Sequence, residues 1–370
     1  MRVLFVFGTR PEAIKLCPVI RHMRECCAGM QARVCVTAQH RSMLDQVLTA
    51  FDIVPDIDLN LMQPDQSLSQ LTARILSALE PVIEAERPDM VLVQGDTTTT
   101  FAAALAAFYQ QVPVAHVEAG LRTGDLHQPF PEEMNRVCAT RLSALHFAPT
   151  AKSVSNLLAE GIDAHRVALT GNSGIDAVLY VCKALDAGRL TGLEWSQLDP
   201  RKRLIVVTAH RRESFGPGFE RICRALFRLA KRDDVQLVYP VHRNPNVVDP
   251  VNRLLKGQAN IFLIEPLDYV PFVDLMRRAD LLITDSGGIQ EEGPSLGKPI
   301  LVIREKTERP EAVEAGTVKL VGTDEDRIVQ EATLLLDNPG EYERMTRVHN
   351  PYGDGQASPR IAAAIRAFLS

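Results

Sequence analysis

The 370-residue sequence lacks any uninterrupted apolar segment long enough to cross a membrane. Its first residues, MRVLFVFGTRPE, reach a Gly-Thr-Arg-Pro turn too early for a secretory signal, so they are expected to form a first strand. The seven cysteines show neither C-x-x-C pairs nor the spacing of a disulfide framework. We therefore expect a cytoplasmic protein whose cysteines are reduced.

A basic excess is also missing, because the formal net charge is −5. Nucleic acid is therefore not expected as a partner, although a few local cations are enough to bind a small anion. The sequence has no H-E-x-x-H or similar metal-ligand spacing, and it has no G-x-S-x-G signature of a serine nucleophile. No metal is predicted from these patterns.

Short apolar runs alternate with helix-length segments, once before residue 150 and again after residue 200. This alternation predicts α/β domains with parallel sheets, and a chain of this length is expected to form two of them. The predicted domains cover residues 1–171 and 172–354, with a last helix in residues 355–370 that crosses back to the first domain. Ligands bind beyond the carboxyl ends of parallel strands, so the two sheets are expected to face a central cleft.

The segment LLITDSGGIQEEGPSLGKPILV, residues 281–302, carries the strongest ligand signal. It predicts a buried strand, a Ser-Gly-Gly turn at residues 286–288, a short helix and another strand. Glycines permit close backbone approach and a helix N-terminus favours an anion, so the turn predicts a phosphate site. Glu291 and Glu292 follow and could accept hydrogen bonds from ribose hydroxyls. The alternative is an ordinary helix start with acidic residues in its first turn.

Two cations follow the first predicted strand. Arg10 lies in the turn GTRPE, and Lys15 lies one turn into the following helix, so both could face a diphosphate. The alternative is that Pro11 simply begins a helix and that both cations are solvated.

Three carboxylates, Asp96, Glu118 and Glu132, form the predicted acid/base group. Helix capping explains Asp96 and Glu132 equally well, whereas Glu118 directly follows a strand and has no cap to make. Acids at adjacent strand ends can have separated pKa values, which a proton acceptor and a proton donor require. Arg136, four residues after Glu132, has a helix ion pair as its simplest explanation.

Two histidines follow strands of the predicted second domain. His210 precedes two arginines and a glycine-containing turn, so we expect it to contact phosphate. His242 takes the corresponding position one strand later. A lone histidine is more often structural, and only the neighbouring arginines favour a binding role here.

The chain resembles the bacterial non-hydrolysing UDP-N-acetylglucosamine 2-epimerases over nearly its whole length, in the ordered motifs FGTRPEAIK, TAQHRSMLDQVL, GDTTTT, HVEAGLRTGD, PEEMNR, TAHRRESFG, PVHRNPN, TDSGGIQEE, PSLGKP, TERPEAV and NPYGDGQAS. This resemblance implies two Rossmann-like domains of the GT-B type and a homodimer. It also implies interconversion of UDP-GlcNAc and UDP-ManNAc without a cofactor, by elimination of UDP to a 2-acetamidoglucal and re-addition. The product would supply ManNAc units for cell-surface polysaccharide.

The resemblance also implies roles for individual residues. The acid/base candidates are Asp96, Glu118 and Glu132, without assignment to a face of C2. The departing diphosphate would be stabilised by Arg10, Lys15, Arg136 and His210. The remaining substrate contacts would be phosphate at Ser286, Gly287 and Gly288, ribose at Glu292, uracil near Phe272, and further contacts from Arg211 and His242.

Some implications of the resemblance stay open. Many relatives are activated by a second UDP-GlcNAc, and Gln39 and Gln66 match that pattern, but other positions depart from it. Gly293 stands where the resemblance predicts alanine. A hydrolysing epimerase, a glycosyltransferase of the same fold and a non-catalytic nucleotide-sugar sensor are the competing functions.

Overall fold

The computed structural model describes residues 1–37, 41–63 and 65–370, with side chains at all of these except residues 41 and 42. The chain divides into two compact units: unit 1 contains Met1–Tyr180 and Tyr352–Ser370, and unit 2 contains Val181–Pro351. The division falls inside one helix, Ser173–Asp186. The domain limits that the sequence suggests, near residues 171 and 354, stay a prediction.

Unit 1 is an α/β unit with a parallel sheet. Its strands are β1 (Arg2–Phe7), β2 (Gln31–Val36), β3 (Ile57–Asp58), β4 (Met90–Gln94), β5 (Val114–Val117), β6 (Leu145–Ala148) and β7 (Val167–Leu169). Its helices are α1 (Arg10–Cys26), α2 (Arg41–Ala50), α3 (Leu68–Glu86), α4 (Thr98–Tyr109), α5 (Glu132–Leu142), α6 (Ala151–Ala159) and α7 (Ser173–Asp186), with a 3₁₀ turn at Ala164–Arg166.

The strand order in unit 1 is β3-β2-β1-β4-β5-β6-β7, and every described pairing is parallel. The order reverses direction between β1 and β4, which makes this the topological switch point where Rossmann-like sheets bind ligands. The strands are apolar and buried on both faces, as a sheet covered by helices requires. Arg10 begins the helix that follows β1, and the loops after β4 and β5 carry Asp96 and Glu118.

Unit 2 repeats this architecture. Its strands are β8 (Arg203–Thr208), β9 (Val235–Pro240), β10 (Ile261–Ile264), β11 (Leu281–Thr284), β12 (Ile300–Val302) and β13 (Val318–Leu320). Its helices are α8 (Pro217–Leu229), α9 (Pro245–Leu255), α10 (Tyr269–Arg278), α11 (Gly287–Glu292), α12 (Pro310–Ala315), α13 (Glu325–Asp337) and α14 (Pro339–Thr346), with 3₁₀ turns at Arg212–Ser214 and Gly293–Leu296.

The sheet of unit 2 has the parallel order β10-β9-β8-β11-β12-β13, so its switch point lies between β8 and β11. A continuous core fills the space between this sheet and its helices, with Phe219, Leu226 and Tyr239 among its fully buried members. The loops at the switch point are those with His210 and Ser286. The sequence therefore predicts correctly which strand ends carry the polar residues.

The helix α15 (Ala357–Leu369) belongs to unit 1 although it follows unit 2 in the chain. It packs against α1, and its first backbone N–H groups, from Ala357 and Ser358, donate to the Asp176 carboxylate at 3.2 and 2.8 Å. A buried carboxylate thus caps the helix and fixes it to α7. The predicted return of the last helix is confirmed.

Candidate active site

Glu118 is held in a strained conformation at the end of β5. Its φ is +64°, in the left-handed region that side chains other than glycine rarely adopt. Lys15 forms an ion pair with one carboxylate oxygen, and Gln94 donates a hydrogen bond to the other. Backbone strain of this kind clusters at functional sites. Glu118 makes no helix cap, as the sequence predicts, and Gln94 is a partner that sequence reasoning missed.

Asp96 lies in the loop after β4 and pairs with Arg136 of α5, whose Nη2 is 2.9 Å from its Oδ2. Asn135 donates from Nδ2 to the Asp96 backbone carbonyl at 2.9 Å. Burial raises the pKa of Asp96 to about 6, and this outweighs the lowering effect of Arg136. Asp96 caps no helix, because Thr97 is the N-cap of α4. Its carboxyl group is poised to exchange a proton near neutral pH.

Arg136 does not form the ion pair with Glu132 that the four-residue spacing suggests. Its Nε instead contacts the Glu132 backbone carbonyl at 3.3 Å and the Glu133 carboxylate at 3.4 Å. Glu132 begins α5 without capping it, and its Oε2 is buried without a hydrogen-bond partner in the described part of the chain. A buried carboxylate oxygen without a partner is costly in free energy, which makes Glu132 available to a ligand.

Arg10 is the first residue of α1 and is partly exposed. Within residues 1–37, 41–63 and 65–370 it has no ion-pair partner. An arginine that its own protein leaves unpaired can bind an anion without first breaking a contact. Lys15 and Arg136 thus each pair with a carboxylate of unit 1, whereas Arg10 pairs with none among the described residues.

The His210 side chain lies between two groups of unit 2. Its ring stacks on His242 with centroids 5.4 Å apart and 14° between the planes, and its Nδ1 lies 3.3 Å from Oδ1 of Asp285. Burial lowers the pKa of His210. The neighbouring His242 and Arg211 lower this pKa further, whereas Asp285 raises it. The two histidines, which the sequence places after successive strands, are thus in direct ring contact.

Asp285 is a buried residue that sequence reasoning missed. Its Oδ2 accepts hydrogen bonds from the backbone N–H groups of His210 at 2.5 Å and Arg211 at 2.7 Å. It comes directly before Ser286, so one carboxylate joins the loop after β8 to the turn after β11. Its only sequence signal was its place at the start of the DSGG motif.

The turn at residues 286–288 begins α11 as predicted. Ser286 takes the N-cap position without a side-chain capping bond, and Gly288 is exposed. A Cβ on Gly287 would lie 3.7 Å from the Arg309 guanidinium, so this arginine flanks the turn. The sequence analysis did not predict Arg309 as a phosphate-binding residue. Arg309 also forms an ion pair with the buried Glu291 carboxylate. Glu292, by contrast, is partly exposed.

The remaining predicted residues are Phe272, Gln66, Gln39 and Gly293. Phe272 is half-buried in the first turns of α10. Gln66 donates from Nε2 to the Met62 sulfur at 3.2 Å. Gln39 lies outside the described residues. Gly293 stands where alanine is expected, and a Cβ there would come within 2.7 Å of Ile300 Cδ1 and 2.9 Å of Leu282 Cδ1, so these side-chain ends would have to shift.

The described residues contain no group of three or more His, Cys, Asp or Glu side chains arranged to hold a metal ion. Nor does any helix in the described ranges have the length and apolar character to span a bilayer. All seven cysteines are free thiols, and burial raises the pKa of Cys35 and Cys223 to about 12.

A family model described as UDP-N-acetylglucosamine 2-epimerase matches residues 24–366. The UDP-N-acetylglucosamine 2-epimerase of Escherichia coli strain K12 is 57% identical, over 99% of this chain and 98% of that protein. This chain belongs to the UDP-N-acetylglucosamine 2-epimerase family. The crystal structure of the Neisseria meningitidis epimerase bound to UDP-GlcNAc matches with a TM-score of 0.90 and 50% identity, over 99% of this chain and 100% of that one.

Membership of the epimerase family confirms that the chain is an enzyme and that its predicted fold class is right. The glycosyltransferase SnogD from Streptomyces nogalater matches over 100% of this chain and 99% of its own, with a TM-score of 0.64 and 17% identity. At that identity the likeness concerns the fold alone, and it agrees with the predicted GT-B type. The family name does not separate the hydrolysing from the non-hydrolysing reaction.

Proposed function

We propose that this epimerase interconverts UDP-GlcNAc and UDP-ManNAc without hydrolysis. A carboxylate removes the C2 proton while the C1–O bond breaks, and the electron pair of that bond leaves with UDP. The neutral intermediate is a 2-acetamidoglucal with a C1=C2 double bond. A second carboxyl group then protonates C2 from the opposite face as UDP re-adds to C1. The reaction consumes no water and needs no cofactor.

The observation that carries the proposal is the pair of unlike carboxyl groups at neighbouring strand ends. Glu118 is ion-paired with Lys15 and accepts a hydrogen bond from Gln94, whereas Asp96 is ion-paired with Arg136 and has its pKa raised to about 6. Groups in such different environments suit opposite roles in proton transfer. Glu132, with a buried oxygen that has no partner in the described chain, is the third candidate.

The cations of unit 1 support departure of the diphosphate. Negative charge grows on the β-phosphate as the C1–O bond breaks, and fixed cations stabilise that charge most in the transition state. We assign this role to Arg10, Lys15 and Arg136, together with His210 of unit 2. Lys15 and Arg136 are also held by carboxylates, so their position is fixed before substrate binds.

The nucleotide is assigned to unit 2. Ser286, Gly287 and Gly288 would bind phosphate through the first N–H groups of α11, and the flanking Arg309 supports an anion there. Arg211 and His242 would add phosphate contacts. Glu292, which is partly exposed, would accept hydrogen bonds from ribose, and Phe272 would lie near uracil.

A homodimer is part of this proposal. Phe101, Leu105 and Phe108 share one face of α4, and Phe108 is 56% exposed. An apolar stripe of this kind is typical of an interface between copies. Phe108→Glu is expected to give monomers in light scattering, whereas Val54→Glu, at another exposed site, should leave the mass unchanged. A monomeric wild type would contradict the assignment.

Three further statements belong to the proposal. A second UDP-GlcNAc would act as an activator. The dependence of the reaction rate on UDP-GlcNAc concentration tests this. The cytoplasm is the expected location. The product is expected to enter cell-surface polysaccharide.

The first experiment is incubation of the protein with UDP-GlcNAc in D₂O without added NAD or metal, followed by NMR. Deuterium at C2 of both UDP-sugars, with little free UDP, is the expected result. Accumulating ManNAc and UDP would instead identify the hydrolysing reaction. Transfer of the sugar to an added acceptor would identify a glycosyltransferase, and UDP-sugar binding without any turnover would identify a sensor.

The second experiment separates proton transfer from binding. Glu118→Gln is expected to lower kcat by about 10²- to 10⁴-fold, which is the usual contribution of a general acid or base. UDP affinity should stay close to that of the wild type. Glu84→Gln, at an exposed position of α3, is the matched control. Near-normal turnover of Glu118→Gln would reject its role.

A further inference from the structure

Glu12 is a buried carboxylate in the first turn of α1, with only 1% of its surface exposed. Its Oε2 accepts hydrogen bonds from the backbone N–H groups of Gly8 at 3.0 Å and Thr9 at 2.8 Å. Its Oε1 accepts from the hydroxyls of Thr97 at 2.7 Å and Thr100 at 3.3 Å. One carboxylate therefore joins the loop after β1 to the N-terminus of α4.

A capping box accounts for only half of these contacts. In that motif the glutamate bonds back to the N-cap N–H group, as Glu12 does at Thr9. It does not require burial, or bonds to a second helix. Burial raises the pKa of Glu12, which shows that its environment opposes the charged form. Four donors on one buried carboxylate offset that cost and make the connection rigid.

The two loops also pack against each other beside Glu12. A Cβ on Gly8 would lie 2.1 Å from Thr37 Oγ1 and 3.0 Å from Thr99 Oγ1, so only glycine fits. Thr37 and Thr99 share a hydrogen bond of 3.1 Å. The backbone after β1 is thus confined by two threonine side chains, Thr37 directly after β2 and Thr99 in α4.

The residues that flank these contacts are site residues. Arg10 directly follows Thr9, and Asp96 directly precedes Thr97. We propose that Glu12 is a positioning residue that fixes the cation at Arg10 relative to the carboxylate at Asp96 by joining their loops. This inference rests on the proposed function, because it assigns both groups to one reaction. Glu12 itself is buried, so its role is assigned through the two loops and not through a contact with substrate.

Positioning predicts a defined pattern among Glu12 variants. In Glu12→Gln the amide oxygen can still accept from the two N–H groups, and the amide NH₂ can donate to the threonine hydroxyls, which accept as well as donate. We expect kcat of Glu12→Gln to lie within about threefold of the wild type, because the hydrogen bonds between the two loops are kept. Glu12→Ala removes them, and a displacement of about 1 Å can lower kcat by about 10²-fold. UDP affinity should change little, because unit 2 binds the nucleotide.

Thr97 variants test the same connection from the other loop. Thr97→Ser keeps the hydroxyl and should behave as the wild type. Thr97→Val loses it and should lower kcat in the same direction as Glu12→Ala. Thr97→Val should also speed amide hydrogen exchange at Gly8 and Thr9. These two residues follow β1, whereas the substitution lies directly after Asp96, so the effect would pass from one loop to the other. That readout needs no catalysis and remains available if Glu12→Ala fails to fold.

The outcomes are distinct. If the wild type shows no C2 deuteration, the proposed function is wrong, and the hydrogen-exchange comparison still decides whether the loops are joined. If the wild type turns over and folded Thr97→Val exchanges and reacts normally, the positioning role is wrong. A Glu12→Gln variant as impaired as Glu12→Ala would also overturn it, because the charge and not the connection would then matter.

Discussion

Arg136 and Asp96 form an ion pair between α5 and the loop after β4, with Nη2 and Oδ2 2.9 Å apart. The pair lies beside the carboxylates of Glu118 and Glu132, which raise the pKa of Asp96, and beside Lys15, which lowers it. Burial is the largest influence on this carboxyl group and exceeds the effect of Arg136. The Asp96 carboxyl group therefore changes its charge near pH 6 and not near its ordinary pKa of 3.8.

The first prediction concerns this titration. Asp96 is expected to titrate near pH 6 by carbon-detected NMR of its carboxyl group, and Arg136→Met should raise that pKa further. Arg141→Met, at an exposed position of the same helix, is the control. The pKa of Asp96 in the folded protein lies above 3.8, the ordinary pKa of an aspartate. Protonated Asp96 therefore stabilises the folded state at low pH, and this stabilisation is lost as the pH rises through about 6. A midpoint near pH 4 would contradict the prediction.

The second prediction concerns acid stability. His116 and His146 are fully buried on neighbouring strands, and burial lowers their pKa to about 4 and about 3. Both ring nitrogens of His146 are without hydrogen-bond partners among the described residues. The folded pKa values lie below the ordinary 6.5, so stability is full above about pH 6.5 and falls as pH drops toward 4.

The measurement is urea unfolding at pH 7.5 and pH 5. At pH 5 the wild type should lose on the order of 2 kcal/mol through His146, since one pKa unit corresponds to about 1.4 kcal/mol. His146→Leu should show a smaller loss between the two pH values, and His127→Leu, in an exposed loop, should match the wild type. An equal loss in His146→Leu would show that this histidine does not cause it.

The third prediction uses the two neighbours of His210, which act in opposite directions. Asp285→Asn should lower the pKa of His210, because Asp285 is the group that raises it. His242→Asn should raise that pKa, because the second imidazole lowers it. NMR titration of the His210 ring in both variants measures the change in its pKa. Arg211 is unchanged in both variants, so its effect on this pKa is the same in each. Shifts of the same sign would show that the ring contacts differ from those described.

The fourth prediction concerns Gly293. Gly293→Ala should destabilise unit 2 by about 1–3 kcal/mol, the usual effect of overpacking, because its Cβ meets the Cδ1 atoms of Ile300 and Leu282. Ile300→Val removes the nearer atom and should restore part of that loss in the double variant. Urea unfolding of the four members of this cycle measures the coupling. Additive effects would show that the two residues do not compete for space.

The sequence predicts the fold well because its signals are local. Apolar runs such as RVLFVF and RLIVVT are separated by helix-length segments, and that alternation is enough to indicate parallel α/β sheets. The strand order within each sheet depends on long-range pairing, and periodicity carries no information about it. The crossing of the last helix back to the first domain is suggested by the turn at residues 350–353, which separates that helix from the second sheet.

Partners at the site were harder to predict than the acids themselves. Lys15 and Glu118 are 103 residues apart in sequence, so no spacing rule links them. The four-residue spacing of Glu132 and Arg136 suggested the wrong pair, because the Arg136 side chain reaches Asp96 across the sheet edge instead. Glu12 did carry a signal, the Thr9-x-x-Glu12 capping box, but its bonds to Thr97 and Thr100 depend on the packing of β1 against β4.

The position of α15 affects the order in which the chain can fold during synthesis. Unit 2 is one continuous stretch, Val181–Pro351, and all of it is synthesised before α15. Unit 1 emerges first but lacks the helix that covers α1 until residues 357–369 are added. Unit 2 can therefore complete its core earlier, although domains usually finish in chain order. Throughout that interval the nascent chain lacks the helix that packs against α1.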